Sequence, residues 1–190
     1  MKIIALDLGS SRTGFACGVA GGHIRVEAWL LRRRGDAVRQ AARNLGRTLR
    51  DNIQFENPDL IAVEDFLNPE AIKSPDAVIA SLLMHGAVES IAGLWGIPVM
   101  STAPGTIRKH FCGKASALPR SAGPKTSRQK AEAREATKQM VLKRAITLRY
   151  LPRDCVDYDK ADACAIFDHA AHARAGHVRK ELVLFGEDAA

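Results

Sequence analysis

The chain has 190 residues, with 28 Lys and Arg against 21 Asp and Glu and a formal net charge of +7. An apolar share of 46% suffices for a packed core, and an aromatic share of 5% makes that core one of Ala, Leu, Ile and Val. Such a composition excludes the disordered and low-complexity classes and fits one soluble domain.

Lys2 to Leu6 is a short β-rich run ending in Asp7. A turn over Gly9 to Gly14 leads to Phe15–Val19 and, after Gly21-Gly22, to Ile24–Leu31, a pattern of three consecutive antiparallel strands. Asp36 is placed to cap a helix running to about Phe55, with Val38, Ala41, Ala42, Leu45 and Leu49 as its apolar stripe. Pro58 ends that unit, and Leu60-Ile61-Ala62-Val63 is the continuous apolar run of a buried parallel strand, closed by Glu64. Pro75 opens a helix to about Trp95, followed by a strand over Ile97–Ser101 and a helical piece near Thr106–Phe111.

Residues 113–128 are rich in Gly, Ser, Pro, Lys and Arg without apolar period, and are predicted to be mobile in the absence of a ligand. Helical patterning resumes over about Gln129–Tyr150, breaks at Pro152 and returns over about Asp159–Arg174. The expectation is one α/β domain over 1–176, a mixed five-stranded sheet of three antiparallel then two parallel strands flanked by helices, with 177–190 as a C-terminal tail.

Asp7 interrupts the apolar stretch that a secretory leader would need. The longest uncharged window, Ser90 to Ile107, contains Gly93, Gly96, Pro98, Pro104 and Gly105, so no membrane segment is predicted. The four cysteines form no Cys-x-x-Cys pair, and a reduced, cytoplasmic protein is expected.

The basic charge is local. Between Gly105 and Arg153 thirteen Lys and Arg face only Glu132 and Glu135. Among them Arg108, Lys109, Lys114, Arg120, Lys125, Arg128, Lys130 and Arg134 are the expected contacts to a polyanion, because clustered cations neutralise phosphates and release counterions. The plainer alternative is a solvated basic loop.

Asp7 and Glu64 each follow an apolar strand, and neighbouring strands would bring their carboxylates to one sheet edge, where sites form in such folds. Asp159 and Asp162, three residues apart, share a helix face. Four acids together repel one another and call for a compensating hard cation, Mg²⁺ or Mn²⁺. Two such ions about 3.5–4 Å apart would activate a water and stabilise the leaving oxygen of a phosphodiester. Taken singly, each acid also fits a turn, cap or solvated position.

The runs Ile3-Ile4-Ala5-Leu6-Asp7-Leu8-Gly9-Ser10-Ser11-Arg12-Thr13-Gly14, Leu60-Ile61-Ala62-Val63-Glu64, Lys138-Gln139-Met140-Val141 and Asp159-Lys160-Ala161-Asp162-Ala163-Cys164-Ala165-Ile166 occur in this order. Together they resemble the RuvC family of Holliday junction resolvases, within the RNase H-like (retroviral integrase) superfamily, over residues 1 to about 172. The resemblance implies an RNase H-like fold and a homodimeric, Mg²⁺-dependent endonuclease, with two ions per site and Mn²⁺ able to substitute. Its action would be paired symmetric nicks in four-way DNA junctions. The same resemblance implies Asp7, Glu64, Asp159 and Asp162 as metal-binding catalytic acids and Lys138 as a basic residue near the scissile phosphate. It further implies Phe66 or Leu67 as an aromatic or apolar wedge at the junction, and the helix from Pro75 to Trp95 as the dimer helix, whose mixed face carries Ala77, Val78, Ser81, Leu82, His85 and Glu89. The chain departs from the family in a longer, more basic stretch over Lys114–Ala136 and in Leu8, where many bacterial members have Pro.

Other readings remain open at this point. They are a broader nuclease of flaps and three-way forms, a YqgF-like RNA-processing nuclease, and a non-catalytic nucleic-acid-binding protein. The turn at Asp7 also resembles the first phosphate loop of the actin, Hsp70 and sugar-kinase superfamily, which needs two such domains. His110, Cys112, Cys155, His169 and His172 match no standard zinc spacing.

Overall fold

The computed structural model describes residues 1–33, 35–66, 75–118 and 126–177. Its strands are β1 (Lys2–Asp7), β2 (Arg12–Val19), β3 (Ile24–Leu30), β4 (Leu60–Glu64) and β5 (Val99–Thr102). Its helices are α1 (Val38–Glu56), α2 (Pro75–Leu94), α3 (Pro104–Cys112), α4 (Ser127–Thr147) and α5 (Tyr158–Ala175).

One sheet runs in the order β3-β2-β1-β4-β5. The first three strands are antiparallel, Lys2 facing Val19 and Asp7 facing Gly14 across β1 and β2. From β1 outward the sheet is parallel, with Ile3 beside Leu60 and Leu6 beside Val63, then Glu64 beside Thr102. The expected mixed five-stranded sheet is therefore observed.

Because alternate side chains point to opposite faces, the unbroken apolar run of β1 supplies two cores. Ile3 and Ala5 face α3, α4 and α5, packing with Phe111, Val141, Cys164 and Phe167. Ile4 and Leu6 face α1 and α2, packing with Leu45, Leu49, Met84 and Val88. Phe15 stacks on Trp29 with ring centroids 4.4 Å apart. All four cysteines are free, and burial pushes the Cys17 thiol up to about 12.

Three local expectations need correction. Asp36 does not cap α1. Its carboxylate accepts from Arg33 N at 2.7 Å and closes the turn before the helix, whose N-cap is Ala37. The strand expected from Ile97 begins at Val99, because Ile97 N is taken by Ala92 O at the end of α2 and Pro98 has no N–H to give. Helix α4 starts at Ser127, so Ser127 and Arg128 are helical. Thr126 and Gln129 form a reciprocal capping box that satisfies two otherwise orphaned N–H groups. Of the stretch expected to be mobile, 119–125 lie outside the described residues, as do Leu67 and the tail from 178.

Helix α2 buries only one stripe, Ala80, Met84, Val88 and Ala92. Ile79, Leu82 and Leu83 stay exposed, and an 18-residue window of the helix reaches a mean hydropathy of 1.6, long and apolar enough by composition to cross a membrane. The sequence reading, which looked only for uncharged windows, overlooked it because Asp76 and Glu89 flank the run.

The end of the sheet remote from Asp7 is tied by charge. Glu56, last in α1, bonds Lys2 Nζ at 2.6 Å and Arg25 at 3.0 Å, joining α1 to β1 and β3. The Lys2 ammonium above all, then Arg25, holds the Glu56 carboxyl below its usual range. Its contribution is thus present above the unfolded-state value, about 4.3, and is lost as pH falls through the lower folded value. Glu56→Gln should cost about 1–2 kcal/mol near neutral pH, and the difference from wild type in urea denaturation should shrink progressively as the pH is lowered below the unfolded-state value. A deficit that stays constant with pH would contradict this role.

Candidate active site

Parallel pairing of β1 with β4 places their last residues, Asp7 and Glu64, side by side at one sheet edge. The third and fourth acids arrive on α5. Asp157 caps that helix, its carboxylate accepting from the N–H groups of Asp159 and Lys160 at 3.1 and 3.3 Å. Asp162 follows one turn after Asp159.

The approach of α5 depends on Gly14, the β2 partner of Asp7. A Cβ at this position would stand 1.9 Å from the Asp159 carbonyl oxygen and 3.2 Å from Ala163 Cβ. Only glycine admits the helix at this depth. The sequence between Tyr158 and Ala175 complements it with Ala161, Ala163 and Ala165 buried against the sheet.

Asp7, Glu64, Asp159 and Asp162 line one cavity of about 470 Å³, together with Arg108 from α3 and Arg134, Thr137, Lys138 and Val141 from α4. Thr137 donates to Ala133 O at 2.8 Å and accepts from Ala117 N at 3.3 Å, which brings Ala115 and Ser116 to the cavity wall. A second cavity, about 440 Å³, lies across the acids against α2. It shares Asp7, Glu64, Arg108 and Arg134 with the first and adds Leu8, Asp65, Met84 and His85.

The acids are under-compensated. Burial, then the carboxylates of Asp162, Glu64 and Asp159, raise Asp7 well above the usual range, while Lys138 opposes them. Burial raises Glu64 to about 7 against the pull of Arg108, whose guanidinium is 3.9 Å away. Asp162 is raised by burial, with Arg108 and Lys138 opposing. Buried oxygens that repel one another are the donor set that a hard divalent cation satisfies, so these residues fit Mg²⁺ or Mn²⁺. Among the described residues no three His, Cys, Asp or Glu side chains stand in a ligating arrangement. The acids share a cavity, not yet a coordination sphere.

The expected basic contacts divide. Arg108, Arg134 and Lys138 line the cavities. Lys109, Lys114 and Lys130 are exposed beyond them, and Arg128 pairs with Glu132 along α4 at 2.8 Å. Arg120 and Lys125 lie outside the described residues. Phe66, the expected wedge, is half-buried and meets His85 edge-on at 5.8 Å between ring centroids.

The histidines named in the zinc comparison do gather, His110 lying 5.3 Å from His169 and 4.7 Å from His172 between centroids. His110 in turn bonds Asp168, 1% exposed, through Nε2 at 2.9 Å, and the Asp168 carboxylate also accepts from Tyr150 OH at 2.8 Å. Cys155 stands apart, beside Ile24 and Val26.

Two residues at the site escaped the sequence reading. Arg12 bonds Asp157 at 2.5 Å and, through Nε, Asp159 at 3.3 Å. Tyr158 reaches α4, where its hydroxyl donates to Glu135. The register of β1 with β2 and adjacency to Asp159 were the available signals.

No protein-family model matches the chain, and no curated protein matches it by sequence. Solved structures do match. Thermus thermophilus RuvC superposes with a TM-score of 0.65 at 18% identity, covering 93% of this chain and 98% of that one. T. thermophilus RuvC in complex with a Holliday junction substrate gives 0.64 with the same identity and coverage. The chain has the RuvC fold. The yeast mitochondrial Holliday junction resolvase Ydc2 shares it more distantly, with a TM-score of 0.56 at 14% identity, over 91% of this chain and 78% of that one. The RuvC fold is RNase H-like, as the sequence resemblance implies.

Within this RuvC fold the tight seat of α5 is directly testable. Gly14→Ala should destabilise the protein by about 3 kcal/mol or more, since the opposing atoms are backbone and cannot yield. Urea titration measures it; a loss under about 0.5 kcal/mol would mean that α5 has room to move.

Proposed function

We propose that the protein is a structure-selective DNA endonuclease that resolves four-way junctions by paired, symmetric nicks, using Mg²⁺ with Mn²⁺ as a substitute. The observation that carries this reading is the meeting of four acids and three cations, Arg108, Arg134 and Lys138, in one cavity. The RuvC fold and the junction named for the T. thermophilus complex support branched DNA as the substrate.

Asp7, Glu64, Asp159 and Asp162 would hold two metal ions, which when bound supply an activated water and stabilise the leaving oxygen. The remaining work belongs to the chain. Arg108 and Arg134 line both cavities, so a strand crossing the acids would meet cations on each side of the scissile phosphate. Lys138 opposes the acids from α4 and would stabilise charge developing on the phosphate in the transition state. Exposed Lys109, Lys114 and Lys130 would hold DNA arms by their phosphates without reading sequence.

Symmetric nicking needs two sites. The exposed Ile79, Leu82 and Leu83 of α2 form the apolar face on which a second copy would pack. Leu82→Glu should shift sedimentation from dimer to monomer and abolish paired nicking; an unchanged sedimentation coefficient would place the interface elsewhere.

The main test is incubation with labelled four-way, three-way, flap and linear DNA in Mg²⁺, Mn²⁺ or EDTA. Paired cuts confined to the four-way junction and absent in EDTA are expected. Asp7→Asn should reduce cutting by at least about 10³-fold and leave junction affinity within about threefold, since it removes an acid and no cation. Cutting of flaps and three-way forms at equal rates would make the protein a broader debranching nuclease, and binding without cutting would refute the catalytic reading.

A further inference from the structure

Lys138 is asked to stand at a defined place while carried on four rotatable bonds beside an acid-lined cavity, and Tyr158 is built to hold it there. Glu135, Lys138 and Gln139 lie on one face of α4, three and four residues apart. Tyr158, the first residue of α5, reaches that face. Its ring lies under the Lys138 ammonium, Nζ standing 5.3 Å from the ring centroid. Its hydroxyl donates to Glu135 Oε1 at 2.5 Å and accepts a hydrogen bond from Gln139 Nε2. Gln139 Nε2 also reaches Glu135 Oε1 at 3.4 Å.

These contacts do two things. The ring gives the ammonium an attractive platform with no negative charge to capture it. The hydroxyl, with Gln139, occupies Glu135, the carboxylate that would otherwise bind a lysine one turn away. Consistent with this, Tyr158 and then Gln139 lower Glu135 more than Lys138 does. Tyr158 is itself held by its neighbours, since Asp157 caps the helix and Arg12 ties both Asp157 and Asp159.

We propose that Tyr158 is a positioning residue that fixes Lys138 toward the acid cavity, by its ring directly and by sequestering Glu135 with its hydroxyl. The kinetic part rests on the nuclease reading above, and the placement of Lys138 does not.

The placement is read by NMR of protein labelled at lysine. The ε-methylene of Lys138, assigned with Lys138→Arg, should resonate upfield under the Tyr158 ring and lose that displacement in Tyr158→Leu. No ring-dependent displacement in the wild type overturns the proposal even if the protein cuts junctions. In cleavage assays Lys138→Ala should lower kcat by about 10²-fold. Tyr158→Phe, which keeps the ring and the fold, should lower kcat by about tenfold with KM unchanged, because Glu135 is released to capture the ammonium. Adding Glu135→Gln to Tyr158→Phe should restore most of that loss. Tyr158→Phe on the Lys138→Ala background should cost less than twofold. Losses that multiply, or a Phe variant that Glu135→Gln does not rescue, would assign Tyr158 a purely structural role. Absence of cutting by the wild type with the ring shift present would instead overturn the nuclease reading and keep the Lys138 placement.

Discussion

Everything at the candidate site hangs on the contact between the first turn of α5 and β2. A helix packed on a sheet is normally held off it by the side chains that fill the gap between the two layers. Here Gly14 contributes none, and Ala161 and Ala163 contribute one carbon each, so the backbone of Asp159 comes down onto the strand. A larger residue at any of these positions would lift Asp159 and Asp162 away from Asp7 and Glu64. The price in hydrophobic area is made up further along α5, where Ile166 and Phe167 are buried. The helix is thus thin where it positions acids and thick where it stabilises the fold.

The two ends of the sheet differ in electrostatic character. At the start of β1 each charge has a partner, Lys2 and Arg25 converging on Glu56 and the Lys2 N–H on Asp59. At the end of β1 the carboxylates are half-buried together, Asp162, Glu64 and Asp159 raising the protonation range of Asp7, and Asp159 that of Asp162. A sequence selected for stability alone would not place Asp7 next to Glu64. Packing on both faces of β1 is what lets the fold carry that repulsion, since Ile3, Ile4, Ala5 and Leu6 are all fully buried.

Much of this was legible in the sequence because the signals were periodic or abrupt. The apolar runs of β1 and β4 are short, uninterrupted and end in acids, which places a buried parallel pair and its edge residues together. Within the stripe read for α1, Ala41, Leu45 and Leu49 do mark its inner face, which the fold continues to Ile53. What stayed hidden depends on contacts distant in sequence. Arg12 reads as one more turn residue until α5 is folded against β2, and Tyr158 has no visible partner until α4 lies beside it. Asp36 had the right residue type for a cap, but the turn closed on its carboxylate first. Thr126 and Gln129 carried a capping signature that the basic, Gly- and Pro-rich run before them masked.

The balance of charge at the cavity bears on how DNA could enter it. A phosphate brings further negative charge toward four acids, so on Coulombic grounds it is repelled unless cations meet it first. Arg108 stands 3.9 Å from Glu64, and the charge of Lys138, resting on the Tyr158 ring, is felt by Asp7 and Asp162. Under the proposed function a divalent cation that neutralises the acids also frees these side chains for the phosphate. Conversely, a phosphate that engages them leaves the acids more in need of a cation. Each ligand then raises the affinity for the other by the same factor, as linkage requires. The exposed lysines outside the cavity owe nothing to the acids, so they can collect DNA before that exchange takes place.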